Sequence, residues 1–112
     1  MKCLMCIIRP EKLDAVKDAL DAEHIVGMTV TDVRGFGRQK GQVEHYRGEA
    51  YTIRFVPKVR IDLVVQDEDV NRVMKTIREA TKTGNIGDGK IFVVGVENAM
   101  RIRTGEVGTS AL

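Results

Sequence analysis

The chain has 112 residues, 43% of them apolar and 30% charged, with a formal net charge of +2 at neutral pH. That length fits one small domain with one aliphatic core, because only 4% of residues are aromatic and none is Trp. No stretch approaches the run of about 20 apolar residues that spans a bilayer, and the near-neutral balance gives no overall pull toward nucleic acid.

Cys3 to Ile8 reads as a short strand buried on both faces, ended by Pro10. Its apolar run is too short for a secretory signal, no small-residue cleavage site follows, and a charged segment takes over. Cys3 and Cys6 have C-x-x-C spacing, but residues three apart on a strand face opposite ways. There is no second cysteine pair, and His24 and His45 stand alone. Buried thiols serving as small hydrophobes are a better reading than a metal site.

Pro10 suits the first turn of a helix whose apolar face is Leu13, Val16 and Leu20, with Gly27 as its stop. Met28 to Phe36 has the β-branched character of a second strand. In a third strand Val59, Ile61, Leu63 and Val65 alternate with Arg60, Asp62 and Val64. Asp67, Glu68 and Asp69 open a second helix with charge that complements its dipole. Val70, Val73, Met74 and Ile77 form its stripe, Gly84 closes it, and Ile91 to Val96 is the fourth strand.

The two helices match at a fixed offset, Leu13 with Val70, Val16 with Val73 and Leu20 with Ile77. The order β-α-β-β-α-β specifies an α+β, ferredoxin-like sandwich, and a doubly wound sheet would need more strands. One segment does not fit its plain version: residues 37–55 lie where a short hairpin belongs, polar and without a period. A connection of that length is usually functional or disordered. Between Arg34 and Arg60 seven basic residues face two acidic ones, Glu44 and Glu49. The segment is either a solvated loop or a surface for phosphates, carboxylates or an acidic partner.

Gly84-Asn85-Ile86-Gly87-Asp88-Gly89-Lys90 satisfies G-x-x-x-x-G-K, whose glycines let backbone N–H groups reach phosphate oxygens. Ile91 replaces the Ser or Thr that holds Mg²⁺ in a P-loop, and the order is helix-loop-strand where strand-loop-helix is required. Phosphate binding and an ordinary glycine-rich turn both remain open at this level. Arg101-Ile102-Arg103 puts two guanidiniums on one side of an extended segment, and Gly35-Phe36-Gly37-Arg38 adds a turn with a cation. Arg34-Gly35-Phe36-Gly37 also matches the opening of an RNA-recognition signature. It lies on the wrong strand and lacks the stacking aromatics that module needs, so RNA binding is set aside.

The sequence resembles the PII signal-transduction family along essentially its whole length. The resemblance is carried by residues 35–41, by Tyr46-Arg47-Gly48 with Tyr51, by Phe55-Val56-Pro57-Lys58, by residues 83–93 and by Arg101-Ile102-Arg103-Thr104-Gly105-Glu106. It implies a cytoplasmic homotrimer of ferredoxin-like subunits, 1–112 being one such domain, with ATP or ADP competing for clefts between neighbours. Residues 37–55 would be the T-loop, 83–90 the B-loop and 101–112 the C-terminal loop.

By position, Gly37, Arg38, Gly87, Asp88, Gly89, Lys90, Arg101 and Arg103 match residues at the phosphates, and Thr29, Asp62 and Val64 those around adenine and ribose. Gln39 matches the Mg²⁺ ligand. Gln39, Lys40, Gly41, Lys58 and Gly87 match the 2-oxoglutarate site, where Lys58 meets a carboxylate. The resemblance implies a signalling protein and not an enzyme. Its arm would plug an ammonium transporter through Arg47 or bind nitrogen-metabolism enzymes, with membrane contact only through such a transporter and no nucleic acid.

The chain departs from the family pattern at Asp62, where many members carry Glu, around Glu49-Ala50, and from Val107 to Leu112. Tyr51 is uridylylated or adenylylated in parts of the family, and a plain exposed aromatic is the other reading. A paralogue with another small effector and a slow ATPase using Lys90 and the arginines are the alternatives.

Overall fold

The computed structural model describes residues 1–37 and 54–112. Its elements are β1 (Lys2–Ile8), α1 (Leu13–Ala22), β2 (Thr29–Gly35), β3 (Val56–Val65), α2 (Val70–Thr81) and β4 (Gly89–Gly95). A single 3₁₀ turn leads into each helix, Pro10–Lys12 before α1 and Asp67–Asp69 before α2. The acidic triplet expected to open the second helix forms the latter turn. The strands make one antiparallel sheet in the order β2-β3-β1-β4. This is the ferredoxin-like arrangement that the tandem β-α-β pattern requires.

The core lies between the sheet and the two helices. Leu4, Cys6 and Ile8 of β1 and Val59, Ile61, Leu63 and Val65 of β3 meet Val16 and Leu20 of α1 and Val73 and Ile77 of α2. Each fully buried aliphatic side chain contributes about 1.5–3 kcal/mol of transfer free energy, so the two central strands hold most of the sheet's share.

Three sequence expectations are corrected. First, β1 is buried on one face only: Cys3, Met5 and Ile7 are half-exposed on the face away from the helices. Cys6 alone behaves as the buried thiol, its pKa pushed up to about 12 by burial first and then by the Asp62 carboxylate and Cys3. A thiol held so far above neutrality is unreactive.

Second, α1 stops at His24 and not at Gly27. His24 has φ of 60°, its N–H bonds the Asp21 carbonyl at 2.9 Å, and the Ile25 N–H bonds the Leu20 carbonyl at 3.0 Å. Those bonds make a Schellman motif whose left-handed position is filled by a β-carbon-bearing residue. His24→Gly is therefore expected to raise stability by about 0.5–1 kcal/mol, the relief of left-handed strain exceeding the added unfolded-state entropy. Urea unfolding with an unchanged m-value checks this.

Third, Gly84 does not close α2. The helix ends at Thr81, Lys82 is extended with ψ of 127°, and the Thr81 hydroxyl donates to the Ile77 carbonyl at 2.8 Å. Gly84, with φ of 88°, belongs to the loop that follows.

The loop Thr83–Lys90 and its surroundings

The register sorts the candidate residues by face. Thr29 pairs with Asp62, Val33 with Lys58, Cys3 with Val64 and Ile7 with Lys90. Directly paired residues share a face and alternate with their neighbours, so Thr29, Lys58, Asp62, Val64 and Lys90 all lie on the sheet face opposite the helices. That face also carries Phe92 and Val94, each 48% exposed. Asp62 is not free there. Arg60 Nε, two residues along the same strand, donates to both its carboxylate oxygens at 3.2 and 3.0 Å.

The loop between α2 and β4 is organised around Asp88. One carboxylate oxygen accepts the backbone N–H groups of Thr83 and Gly84 at 2.8 and 2.9 Å. The other accepts the Thr83 hydroxyl and, at 3.2 Å, Arg9 Nε. The Thr83 hydroxyl bond leads in holding the Asp88 carboxyl well below the usual carboxylate range, with the Thr83 and Gly84 amides and Arg9 adding to it. A second guanidinium nitrogen of Arg9 donates to the Ile86 carbonyl at 3.0 Å. Asp88 is thus the hub that shapes the loop.

Lys58 reaches the same loop from β3. Its ammonium donates to the Gly87 carbonyl at 2.7 Å, and the residue is 9% exposed. Burial, followed by the nearby Arg9 charge, lowers its pKa. A cation that is partly desolvated and sits near another cation gains from an arriving carboxylate or phosphate. Gly89 completes the loop with φ of 110°, in the left-handed half of backbone space that side chains avoid.

The C-terminal arginines are placed differently from the sequence expectation. The segment after Asn98 folds on itself, with Met100 bridged to Val107 and the Gly105 N–H bonded to the Arg101 carbonyl at 2.7 Å. Arg101 and Arg103 therefore lie in a tight turn and not along an extended segment. Arg101 donates to Glu106 at 2.9 Å and to the Leu112 carbonyl at 3.0 Å. Among the described residues, no hydrogen bond or ion pair links either arginine to the loop Thr83–Lys90. The expected convergence of basic clusters is thus not made by these contacts within one chain.

Gly37 lies at the edge of the described residues, and Arg38, Gln39, Lys40, Gly41, Arg47 and Tyr51 lie outside them. Sequence reasoning missed Arg9, Arg60 and Glu106. Arg9 acts on a residue far along the chain, while Arg60 stood in the strand alternation and Glu106 in a quoted motif without any sign of the partners, Asp62 and Arg101, that they hold.

The family model described as nitrogen regulatory protein P-II matches residues 1–106. Nitrogen regulatory protein P-II 2 of Methanothermobacter thermautotrophicus is 56% identical over 112 residues, covering 100% of this chain and 97% of that protein. Nitrogen regulatory protein P-II of Microchaete diplosiphon is also 56% identical, with 100% of both chains covered. The solved structure of Arabidopsis thaliana PII bound to citrate has a TM-score of 0.83 at 40% identity, covering 99% of this chain and 91% of that one. The sheet order, the glycine-bearing loop before β4 and these full-length matches lead to one assignment: the chain belongs to the nitrogen regulatory protein P-II family, whose members are signalling regulators.

Proposed function

We propose that this chain senses adenine nucleotide and 2-oxoglutarate together and reports their state through residues 37–55 to an ammonium transporter or a nitrogen-metabolism enzyme. The observation that carries the reading is the bond from Lys58 to the Gly87 carbonyl, which joins the candidate keto-acid cation to the candidate phosphate loop. Thr29, Asp62, Val64 and Lys90 share the sheet face with Lys58, as one ligand spanning these residues needs. A carboxylate effector also suits the relative crystallised with citrate, a tricarboxylate.

The face itself supports a homotrimer. Phe92, Val94, Met5 and Cys3 leave apolar area that a neighbouring copy would cover. In that assembly Arg101 and Arg103 of one copy would complete the phosphate site of the next. Arg38 and Gly37 would approach from the root of the arm, and Arg47 would enter a transporter's pore. Tyr51 would be a contact or a modification point at the arm. The chain works in the cytoplasm in this reading. No helix among the described residues is long and apolar enough to cross a membrane.

Magnesium would be held largely by ligand oxygens. Among the described residues no group of three His, Cys, Asp or Glu side chains gathers. The ion would take the ATP phosphates, the keto acid and Gln39, while Lys58 neutralises the effector's far carboxylate, with Lys40 and Gly41 beside it. Bound Mg²⁺ would supply positive charge shared by both ligands, so keto-acid affinity would depend on the nucleotide. Differential affinity of ATP and ADP states for arm conformations would then select the partner. Hydrolysis is a poorer fit. Asp88, the candidate base that the sequence offered at the loop, has both oxygens engaged and its pKa lowered.

Calorimetry with Mg-ATP first and 2-oxoglutarate last tests the proposal. Binding of ATP is expected, with keto-acid binding only in its presence, and Lys58→Met should remove the second step while sparing the first. No nucleotide binding at millimolar concentration would sink the reading. ATP binding with no keto-acid response would leave a nucleotide sensor and show Gln39 or Lys58 to be misassigned.

A further inference from the structure

Arg60 and Asp62 stand two residues apart on β3, on the sheet face that carries Thr29, Lys58, Val64 and Lys90. Pairing puts Arg60 in the row Thr31–Arg60–Ile7–Lys90, level with the end of the loop Thr83–Lys90. Asp62 lies in the next row, Thr29–Asp62–Met5–Phe92. Successive rows on one face are about 7 Å apart, a step that a single sugar bridges. Arg60 thus separates the candidate phosphate end of the face from the end that holds Asp62.

The two side chains do not meet fork to fork. Arg60 Nε alone donates to both Asp62 oxygens, at 3.2 and 3.0 Å. A carboxylate has about four acceptor positions, of which Nε takes two, and the two left over match the two donors of a cis-diol. Among the described residues Asp62 accepts no further hydrogen bond. The Asp62 side chain is 26% exposed, so those positions are open to a ligand lying on the face.

A half-exposed ion pair of this kind adds little to folding. Its larger effect is on direction. An aspartate has two torsions, and a donor shared between both oxygens restrains them together. A carboxylate already held in place loses less freedom when a ligand arrives. Here the restraint comes from a neighbour on the same strand, which moves with Asp62 as a unit.

We propose that Arg60 is a positioning residue for nucleotide recognition. It holds the Asp62 carboxylate turned to accept both sugar hydroxyls, so the face selects ribonucleotides over deoxyribonucleotides. This rests on the reading of the face as an adenine-nucleotide site. A hydroxyl bonded to a carboxylate makes a charge-assisted bond, so removing the 2′-hydroxyl should cost about tenfold in affinity.

Calorimetry on the full chain with Mg-ATP and with Mg-dATP, without 2-oxoglutarate, tests the role. The parent is expected to bind ATP about tenfold more tightly than dATP, and Arg60→Gln to bring that ratio within about threefold. ATP and dATP carry the same charge, so the general loss of a cation weakens both equally and leaves the ratio unmoved. A parent ratio below about fivefold, or an Arg60→Gln ratio above about threefold, overturns the role. Melting temperatures check the fold. If Arg60→Gln melts early, Arg60→Met, which keeps the apolar stem, replaces it under the same limits. A parent that binds neither nucleotide sinks the nucleotide reading itself, and Arg60's role with it; ATP binding without discrimination sinks the role alone.

Discussion

Gly89→Ala is expected to destabilise the chain by roughly 3–5 kcal/mol, the range of severe backbone clashes combined with left-handed strain. An added Cβ would stand 1.8 Å from the Ile7 carbonyl oxygen and 2.8 Å from its carbon. Both are backbone atoms of a central strand, so no side-chain rotation relieves the contact. The φ of 110° adds a second penalty that any L-residue would incur. Relief requires the start of β4 to move off β1, breaking the Ile8–Gly89 pairing and carrying Asp88 and Lys90 with it.

Gly95→Ala is the matched control at the other end of β4. Nothing lies within 4 Å of its added Cβ, and its φ is not in the left-handed range. It should change stability by less than about 0.5 kcal/mol. Urea unfolding of both variants checks the pair, and equal effects would mean that the close approach at Gly89 is relieved at little cost. The glycine in the sequence motif thus has a structural duty apart from phosphate binding. Only the position of Ile7 reveals it.

What the sequence made legible follows from period. Val59, Ile61, Leu63 and Val65 alternate, and all four are buried; Leu13 to Leu20 and Val70 to Ile77 repeat, and both helices pack on the sheet. Pattern fails where the relevant neighbour is far away in sequence. The exposure of Cys3 and Met5 follows from which face the helices cover, a tertiary fact. The stop at His24 was hidden because glycine is the usual left-handed residue and Gly27 lies three positions on.

The candidate site shows the same division. Glycines, Lys90 and the arginine pair were visible as chemistry, yet the sequence could not separate ligand contacts from scaffold. Asp88 was expected at the phosphates, and its four side-chain bonds give it a scaffold duty that the sequence did not reveal. Arg9, which holds Asp88 from 79 positions away, has no local signal at all. Arg101 was expected to be extended, and the Met100–Val107 bridge turns it toward Glu106.

Asp88→Asn tests how far the loop's order sets its chemistry. The substitution keeps shape and removes charge, but the amide must turn its NH₂ toward one of two donor sets. Facing the Thr83 and Gly84 N–H groups, it would strip two backbone donors of their acceptor. Facing Arg9, it sets donor against donor, while the Thr83 hydroxyl can rotate to accept. The second arrangement costs less, so Arg9 loses its carboxylate partner and is left with its bond to the Ile86 carbonyl as its tie to the loop.

Amide exchange at Thr83 and Gly84 is expected to accelerate by about tenfold, and proposed Mg-ATP affinity to fall by a similar factor, as losing a charge-assisted bond implies. The pH dependence separates charge from shape. Because folding lowers the Asp88 pKa, its contribution is fully present above the unfolded carboxylate value of about 3.9 and is lost as pH falls through the lower folded value. The parent and Asp88→Asn should therefore differ by a constant amount between pH 5 and 8 and converge only in strong acid. Unchanged exchange would show that the carboxylate does not order the loop. Faster exchange with unchanged nucleotide affinity would show an ordered loop that the nucleotide does not need.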